Sequence, residues 1–138
     1  MLIKYQDSCL NISPNQLCEF FIGWVNPPTP EVHLKLLRQL AYVVLAIDSD
    51  TNKVVGFINA ISDGVLSAYL PLLEVSPDYK NRGIGTKLVK KMLNLLKDYY
   101  MIDLSCDPEL QSFYNKFSMV FSTGMMVRNY KKQNGTAN

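Results

Sequence analysis

The chain has 138 residues, 48% hydrophobic and 19% charged; a chain of this size buries roughly two-thirds of its unfolded surface, and the composition excludes intrinsic disorder and fibrous repeats. Its formal charge of +2 comes from Lys131 and Lys132 alone, so the body lacks the surplus cations from which sequence-independent nucleic-acid binding draws its affinity. No apolar run approaches the roughly 20 residues that span a bilayer, and the opening stretch from Met1 to Asp7 has no apolar core of signal-peptide length, so a cytoplasmic protein without membrane or nucleic-acid partners is expected.

In chain order, Ser13-Pro14-Asn15-Gln16 reads as a helix start with a capping box, and Leu17, Phe20, Phe21 and Trp24 follow at helical spacing. The prolines of Asn26-Pro27-Pro28-Thr29-Pro30 require a loop, after which a second helix runs from Thr29 to about Leu40. Three apolar segments come next, Tyr42 to Ile47, Val54 to Ile61 and Leu66 to Val75. The turn residues between them predict an antiparallel meander.

From Ile84 to Tyr99 the apolar residues Ile84, Leu88, Met92, Leu95, Leu96 and Tyr99 share one face and lysines another, which predicts a long amphipathic helix. Tyr100 to Cys106 reads as a strand. Asp107-Pro108-Glu109 then opens a last helix, with Asp107 as its cap and Leu110, Phe113, Tyr114 and Phe117 at helical spacing. Residues 119–130, rich in Met, Val, Phe and Tyr, read as one or two terminal strands. One domain over residues 1–130 is expected, with a polar, frayed tail over 131–138. This order of elements gives a mixed α/β or α+β sandwich.

Cys9, Cys18 and Cys106 are an odd number with no Cys-x-x-Cys spacing and no histidine nearby. They read as reduced, mostly buried thiols, and no metal site is expected. His33 lies beside Lys35 and reads as a solvated helix residue outside the chemistry.

The informative stretch is Leu72 to Leu88. A strand ends at Val75, a loop carries Lys80, Asn81 and Arg82, and Gly83-x-Gly85 opens the long helix. Between Lys80 and Lys97 there are six cations and no acid. Glycines allow close backbone approach, first-turn amides point outward, and the helix dipole favours negative charge by about 0.3 to 2 kcal/mol, so the segment is a cradle for a diphosphate. The Walker pattern is absent, and Leu88 stands where the dinucleotide fingerprint needs glycine.

Val75-x-Pro77-x-Tyr79-Lys80-x-x-Gly83-x-Gly85, the amphipathic helix behind it and the later Phe113-Tyr114-x-Lys116 resemble the GNAT superfamily of acyl-CoA-dependent N-acetyltransferases. Lys80 stands where the family carries Gln or Arg, and Ser118-Met119 where it usually has Gly-Phe. The resemblance implies a central, mostly antiparallel sheet flanked by helices, with two strands splayed at the cofactor site. It implies acetyl-CoA as the donor and N-acetyl transfer to a primary amine of a small molecule by direct attack.

By the same resemblance, Lys80, Asn81, Arg82, Gly83, Ile84, Gly85 and Thr86 hold the diphosphate of coenzyme A. The backbone of Leu73, Glu74 and Val75 pairs with the pantetheine arm, and Asp107, Tyr114 and Lys116 belong to the cofactor side. Tyr114 is the candidate acid for the departing thiolate, its alternative being a core aromatic of the Phe113 stripe. Glu74 is the candidate base, with a surface or ion-pair role or a water chain as alternatives, because adjacent side chains of a strand point to opposite faces. Trp24 either borders the acceptor pocket or ends a helix in the core. A non-catalytic coenzyme A-binding module and a protein or peptide N-acetyltransferase are the competing functions, and the chain is expected as a monomer or a homodimer.

Overall fold

A computed structural model describes residues 2–136. Six strands form one sheet: β1 (Ile3–Gln6), β2 (Tyr42–Asp48), β3 (Val54–Ser62), β4 (Ser67–Tyr69), β5 (Leu73–Val75) and β6 (Met101–Asp103). Their order is β1-β2-β3-β4-β6, with β5 also paired to β3. All pairs are antiparallel except β4 with β6. Three helices flank the sheet: α1 (Pro30–Arg38), α2 (Ile84–Leu95) and α3 (Gln111–Asn115). No helix among the described residues is long and apolar enough to cross a membrane.

β2 and β3 are buried on both faces, which is why they read as unbroken apolar runs. On one face Val44, Val55, Ile58 and Ala60 pack against Ile84, Leu88, Met92 and Leu96 of the α2 segment. On the other, Val43, Leu45 and Phe57 pack against Leu34 and Leu37 of α1 and against Phe20 and Phe21. Gly56 permits the first contact to be close: a β-carbon there would meet Leu88 at 3.1 Å and Ile84 at 3.2 Å.

Four expectations need correction. The helix expected over Ser13 to Trp24 is only a single 3-10 turn, Pro14–Gln16. Its capping box forms, but Phe21 (φ 63°) and Gly23 (φ 85°) take left-handed backbone that no helix continues through. The apolar segment Leu66 to Val75 is two strands rather than one, because Pro71 lacks an amide and the side chain of Asn59 takes over the ladder there, its Oδ1 accepting the Leu72 amide at 3.1 Å. Asp107 stands at the cap position of the turn Pro108–Leu110, yet its side chain makes no capping bond; its carbonyl accepts the Leu110 amide instead. Residues 119–130 hold no strand: none of the six strands pairs with them among the described residues.

The tail also differs from a frayed end. Tyr130–Lys132 forms a 3-10 turn, and the Asn26 amide donates to Gln133 Oε1 at 2.9 Å. Ala137 and Asn138 lie outside the described residues.

Candidate active site

The loop before α2 is held from beneath. Tyr79 donates its hydroxyl to Asp48 Oδ2 at 2.5 Å, and Arg82 lies over the Tyr79 ring at 5.3 Å. The Tyr79 hydroxyl and the Asp50 amide keep the Asp48 carboxyl below its ordinary range, so the anchor stays ionised. Ser76 adds two bonds, its amide to the Val55 carbonyl at 2.8 Å and its hydroxyl to Glu19 at 2.8 Å.

On this footing Asn81 (φ 62°) and Gly83 (φ 79°) turn the chain through left-handed conformations into α2. The Gly83 carbonyl accepts the Lys87 amide at 3.1 Å, which starts the helical ladder. The amides of Ile84, Gly85 and Thr86 lie ahead of that first bond and receive no carbonyl from the described residues. They point out of the helix N-terminus as a concave set of donors, with the Lys80 and Arg82 side chains exposed beside them.

β5 forms the adjoining wall. Asn59 donates its amide to the Leu72 carbonyl, and Val55 accepts the Ser76 amide. Strand alternation therefore turns the backbone groups of Leu73 and Val75 away from β3. On that outer side β5 has no strand partner among the described residues, since β6 pairs with β4 instead. This is the splay: β4 and β5 follow one another in the chain but diverge at Leu70-Pro71-Leu72.

The third wall is α3. A β-carbon on Gly85 would lie 3.7 Å from Phe113 Cζ and 3.8 Å from Val75 Cγ2, so the cradle, the strand lip and α3 meet at one place. Tyr114 packs there with a ring contact of 5.0 Å to Phe113. Burial, aided by the neighbouring Cys106, pushes its phenol up to about 12, so the hydroxyl keeps its proton at any physiological pH. Lys116 sits over Phe113 at 5.0 Å, and Asp107 is exposed at the start of the preceding turn.

Glu74 points the other way. Its carboxylate accepts the Phe21 amide at 2.9 Å and the Ile22 amide at 3.3 Å, so it faces the aromatic segment on the α1 side, opposite the α2-side core of Leu73 and Val75. Trp24 continues that segment, 38% exposed and tilted against Phe21 at 4.9 Å between centroids. The structure thus brings Leu73, Val75, Gly83 to Thr86 and Tyr114 to one side of the lip, and Glu74 and Trp24 to the segment on the other.

His33 corrects the expectation of a solvated side chain. It is 1% exposed, ringed by Phe20, Phe21 and Phe57, and neither nitrogen has a hydrogen-bond partner among the described residues. Burial lowers it to about 4, so it is a neutral core residue. Asn59 is the residue that sequence reasoning passed over: fully buried, it supplies the bond that ends the ladder where the lip begins, and its Nδ2 is unpartnered. The available signal was one amide inside the apolar run Val54 to Ile61. Among the described residues no group of three or more His, Cys, Asp or Glu is arranged to hold a metal ion.

The donor set fits a diphosphate carrying an amide-bearing arm: outward amides under the anion, exposed cations beside it, and unpaired strand groups of Leu73 and Val75 for the arm. A model of the acetyltransferase (GNAT) family matches residues 12–119. A crystal structure from Deinococcus radiodurans R1, assigned as an acetyltransferase, is 41% identical, with a TM-score of 0.94 over 99% of this chain and 94% of that one. The uncharacterized N-acetyltransferase ycf52 of Pyropia yezoensis is 28% identical over an aligned length of 128, with 86% of this chain and 73% of that protein covered. The ycf52 protein of Porphyra purpurea is 28% identical over 76% of this chain, and the match spans only 62% of its own length.

Proposed function

The chain belongs to the acetyltransferase (GNAT) family, and on that premise we propose that it moves the acetyl group of acetyl-CoA to a primary amine of a small molecule by direct attack. The observation that carries this reading is the convergence of three features at Gly85: free first-turn amides, the unpaired lip of Leu73 and Val75, and the helix bearing Tyr114. In this reading Gly83, Ile84, Gly85 and Thr86 hold the diphosphate through their amides, each such charge-assisted bond contributing about 1.5 to 3 kcal/mol. Lys80, Asn81 and Arg82 line the same anion, and Leu73 and Val75 receive the arm along their backbone, whereas the expected part of the Glu74 backbone falls away because alternation turns it to Phe57 of β3; Asp107 and Lys116 stand at the α3 side.

When bound, acetyl-CoA supplies an acetyl thioester already activated for acyl transfer. Tyr114 then donates its phenolic proton to the departing sulfur, a role suited to a group that stays protonated, and general-acid help is worth about 10² to 10⁴ in rate. The strand amides near Leu73 stabilise the oxygen on which charge develops. Glu74 takes the ammonium proton of the acceptor directly or through water; two amides occupy part of its carboxylate, and lone pairs remain for this duty. Trp24 borders the acceptor. No histidine accompanies Cys106, so nothing there activates a thiol for a covalent route. The free cysteines among the described residues agree with a cytoplasmic setting, although none is buried as expected: Cys18 is exposed and Cys9 and Cys106 are half-buried.

The test is sequential. Thermal stability is measured against acetyl-CoA, and thiol release is then followed with a panel of amines. Stabilisation followed by amine-dependent release is expected. Binding without release would instead make the chain a coenzyme A-binding module, and acetylation of peptide termini or lysines in mass spectra would move the acceptor to protein.

A further inference from the structure

β1 is an edge strand, and its bonding pattern fixes which of its groups are free. Ile3 stands opposite Asp48, and one position earlier the Leu2 carbonyl accepts the Ser49 amide at 3.0 Å. Alternation therefore points the backbone groups of Lys4 and Gln6 toward β2 and those of Ile3 and Tyr5 outward, where no strand meets them among the described residues. The side chains of Ile3 and Tyr5 lie on the face of the sheet that α2 covers.

An open groove of about 820 Å³ runs beside this edge under α2, lined by Tyr5 and Asp7 on the strand side and by Lys87, Lys90, Lys91 and Asn94 on the helix. Lys87 and Lys91 each place Nζ 5.4 Å from the centre of the Tyr5 ring. All three lysines are exposed, none is in an ion pair among the described residues, and Asp7 is the single acid of the lining. Unpaired strand groups beside a row of unanswered cations invite strand addition.

Chemistry selects the occupant. The outward amides and carbonyls of a strand edge are paired by another polypeptide backbone, which neither nucleic acid nor lipid carries. Three lysines against one aspartate call for acidic side chains. Spacing agrees: Lys87 and Lys91 are one helical turn apart, about 6 Å along the axis, and alternate residues of a strand are about 6.8 Å apart. A second copy of this chain does not fit. β1 against β1 would bring the two lysine rows together, and β1 against a different edge is a heterologous contact that continues from copy to copy.

We propose that β1 is the docking edge for an extended acidic segment of another protein, which adds antiparallel to Ile3–Gln6 and sets alternate carboxylates against Lys87, Lys90 and Lys91. In antiparallel pairing the residues bonded to Ile3 and Tyr5 are those whose side chains share their face, so the acidic residues themselves supply the paired amides. This inference does not rest on the acetyl-transfer reading.

The probes are short capped peptides of alternating Glu and Thr, or of alternating Lys and Thr, titrated calorimetrically into the full chain. The Glu-Thr peptide is expected to bind and the Lys-Thr peptide to give no heat of binding. N-methylation of the glutamate amides should abolish binding, whereas N-methylation of the threonine amides, which face away from β1, should leave it within a few-fold. Lys91→Glu, with unchanged circular dichroism, should weaken the Glu-Thr peptide by ~10-fold or more, and saturating acetyl-CoA should leave the wild-type affinity unchanged. A Glu-Thr peptide that does not bind overturns the proposal, as does an affinity indifferent to Lys91→Glu. Equal binding by the two methylated peptides would reduce the contact to charge and refute strand addition. Displacement of the peptide by acetyl-CoA would also overturn it, assigning the groove to the cofactor through Gly83 and Thr86 at its near end.

Discussion

Glu74 on β5 accepts the backbone amides of Phe21 at 2.9 Å and Ile22 at 3.3 Å, and so ties the strand lip to a turn 53 residues earlier. Phe21 has φ 63°, a conformation that costs a bulky residue roughly 1 to 2 kcal/mol, and the carboxylate is what holds it there. The turn at Phe21 and the strand β5 are one mechanical unit.

Glu74→Ala should therefore lower the melting temperature by several degrees, because a partly buried amide loses its acceptor at a cost of about 1 to 3 kcal/mol. Glu74→Gln keeps an oxygen for Phe21 and should melt within a few degrees of wild type while losing at least ~10-fold in kcat at neutral pH. A glutamine variant with full kcat would leave Glu74 as an anchor alone.

Tyr114→Phe is expected to lower kcat by about 10² or more and to change acetyl-CoA affinity by no more than a few-fold. An unchanged kcat would remove the phenol from the chemistry. Because burial raises this phenol to about 12 from an unfolded value near 10, the unfolded chain ionises first, and its contribution to stability is present below pH 10 and lost as pH rises toward 12. Melting curves of wild type and Tyr114→Phe should converge or cross over that interval.

His33 gives the opposite slope. Its folded value of about 4 lies below the unfolded value near 6.5, so acidification protonates the unfolded chain first, and stability falls by about 3 kcal/mol as pH drops from 6.5 to 4. Replacement by an apolar residue, His33→Leu, should flatten that part of the stability profile. An equally steep profile in the variant would assign the acid sensitivity to carboxylates.

The helix α2 and its turn were legible because both signals are local, apolar residues at one period and glycines where a left-handed turn and free amides are needed, although the helix ends at Leu95 and not at Tyr99 as the period suggested. The splay was not, because it depends on Asn59 replacing a strand partner thirteen residues on, at Leu72, and no local pattern encodes that exchange. The Phe20–Trp24 spacing fits a helix equally well, and only the distant Glu74 decides against it. The composition of residues 119–130 suggests a strand; a strand also needs a partner, and none of the six strands pairs with them among the described residues.

Ser118 illustrates a departure with a physical reading. It ends α3 at φ 63°, the conformation that glycine adopts without strain. Ser118→Gly should relieve about 0.5 to 1 kcal/mol and raise the melting temperature by a few degrees. A lower melting temperature would show that the serine hydroxyl contributes more than the strain costs.

Calorimetric titration of acetyl-CoA into wild type, Gly85→Ala and Gly85→Glu is the most direct test of the cradle. Space at Gly85 admits a β-carbon at ordinary contact distance, 3.7 Å from Phe113, so the fold should survive the alanine change, and circular dichroism of the glutamate variant checks that it too is folded. The account predicts tight binding by wild type, binding within about ten-fold by the alanine variant, and none by the glutamate variant, whose carboxylate would stand against phosphate. Equal affinity in all three proteins would place the diphosphate elsewhere and contradict the reading of the α2 turn.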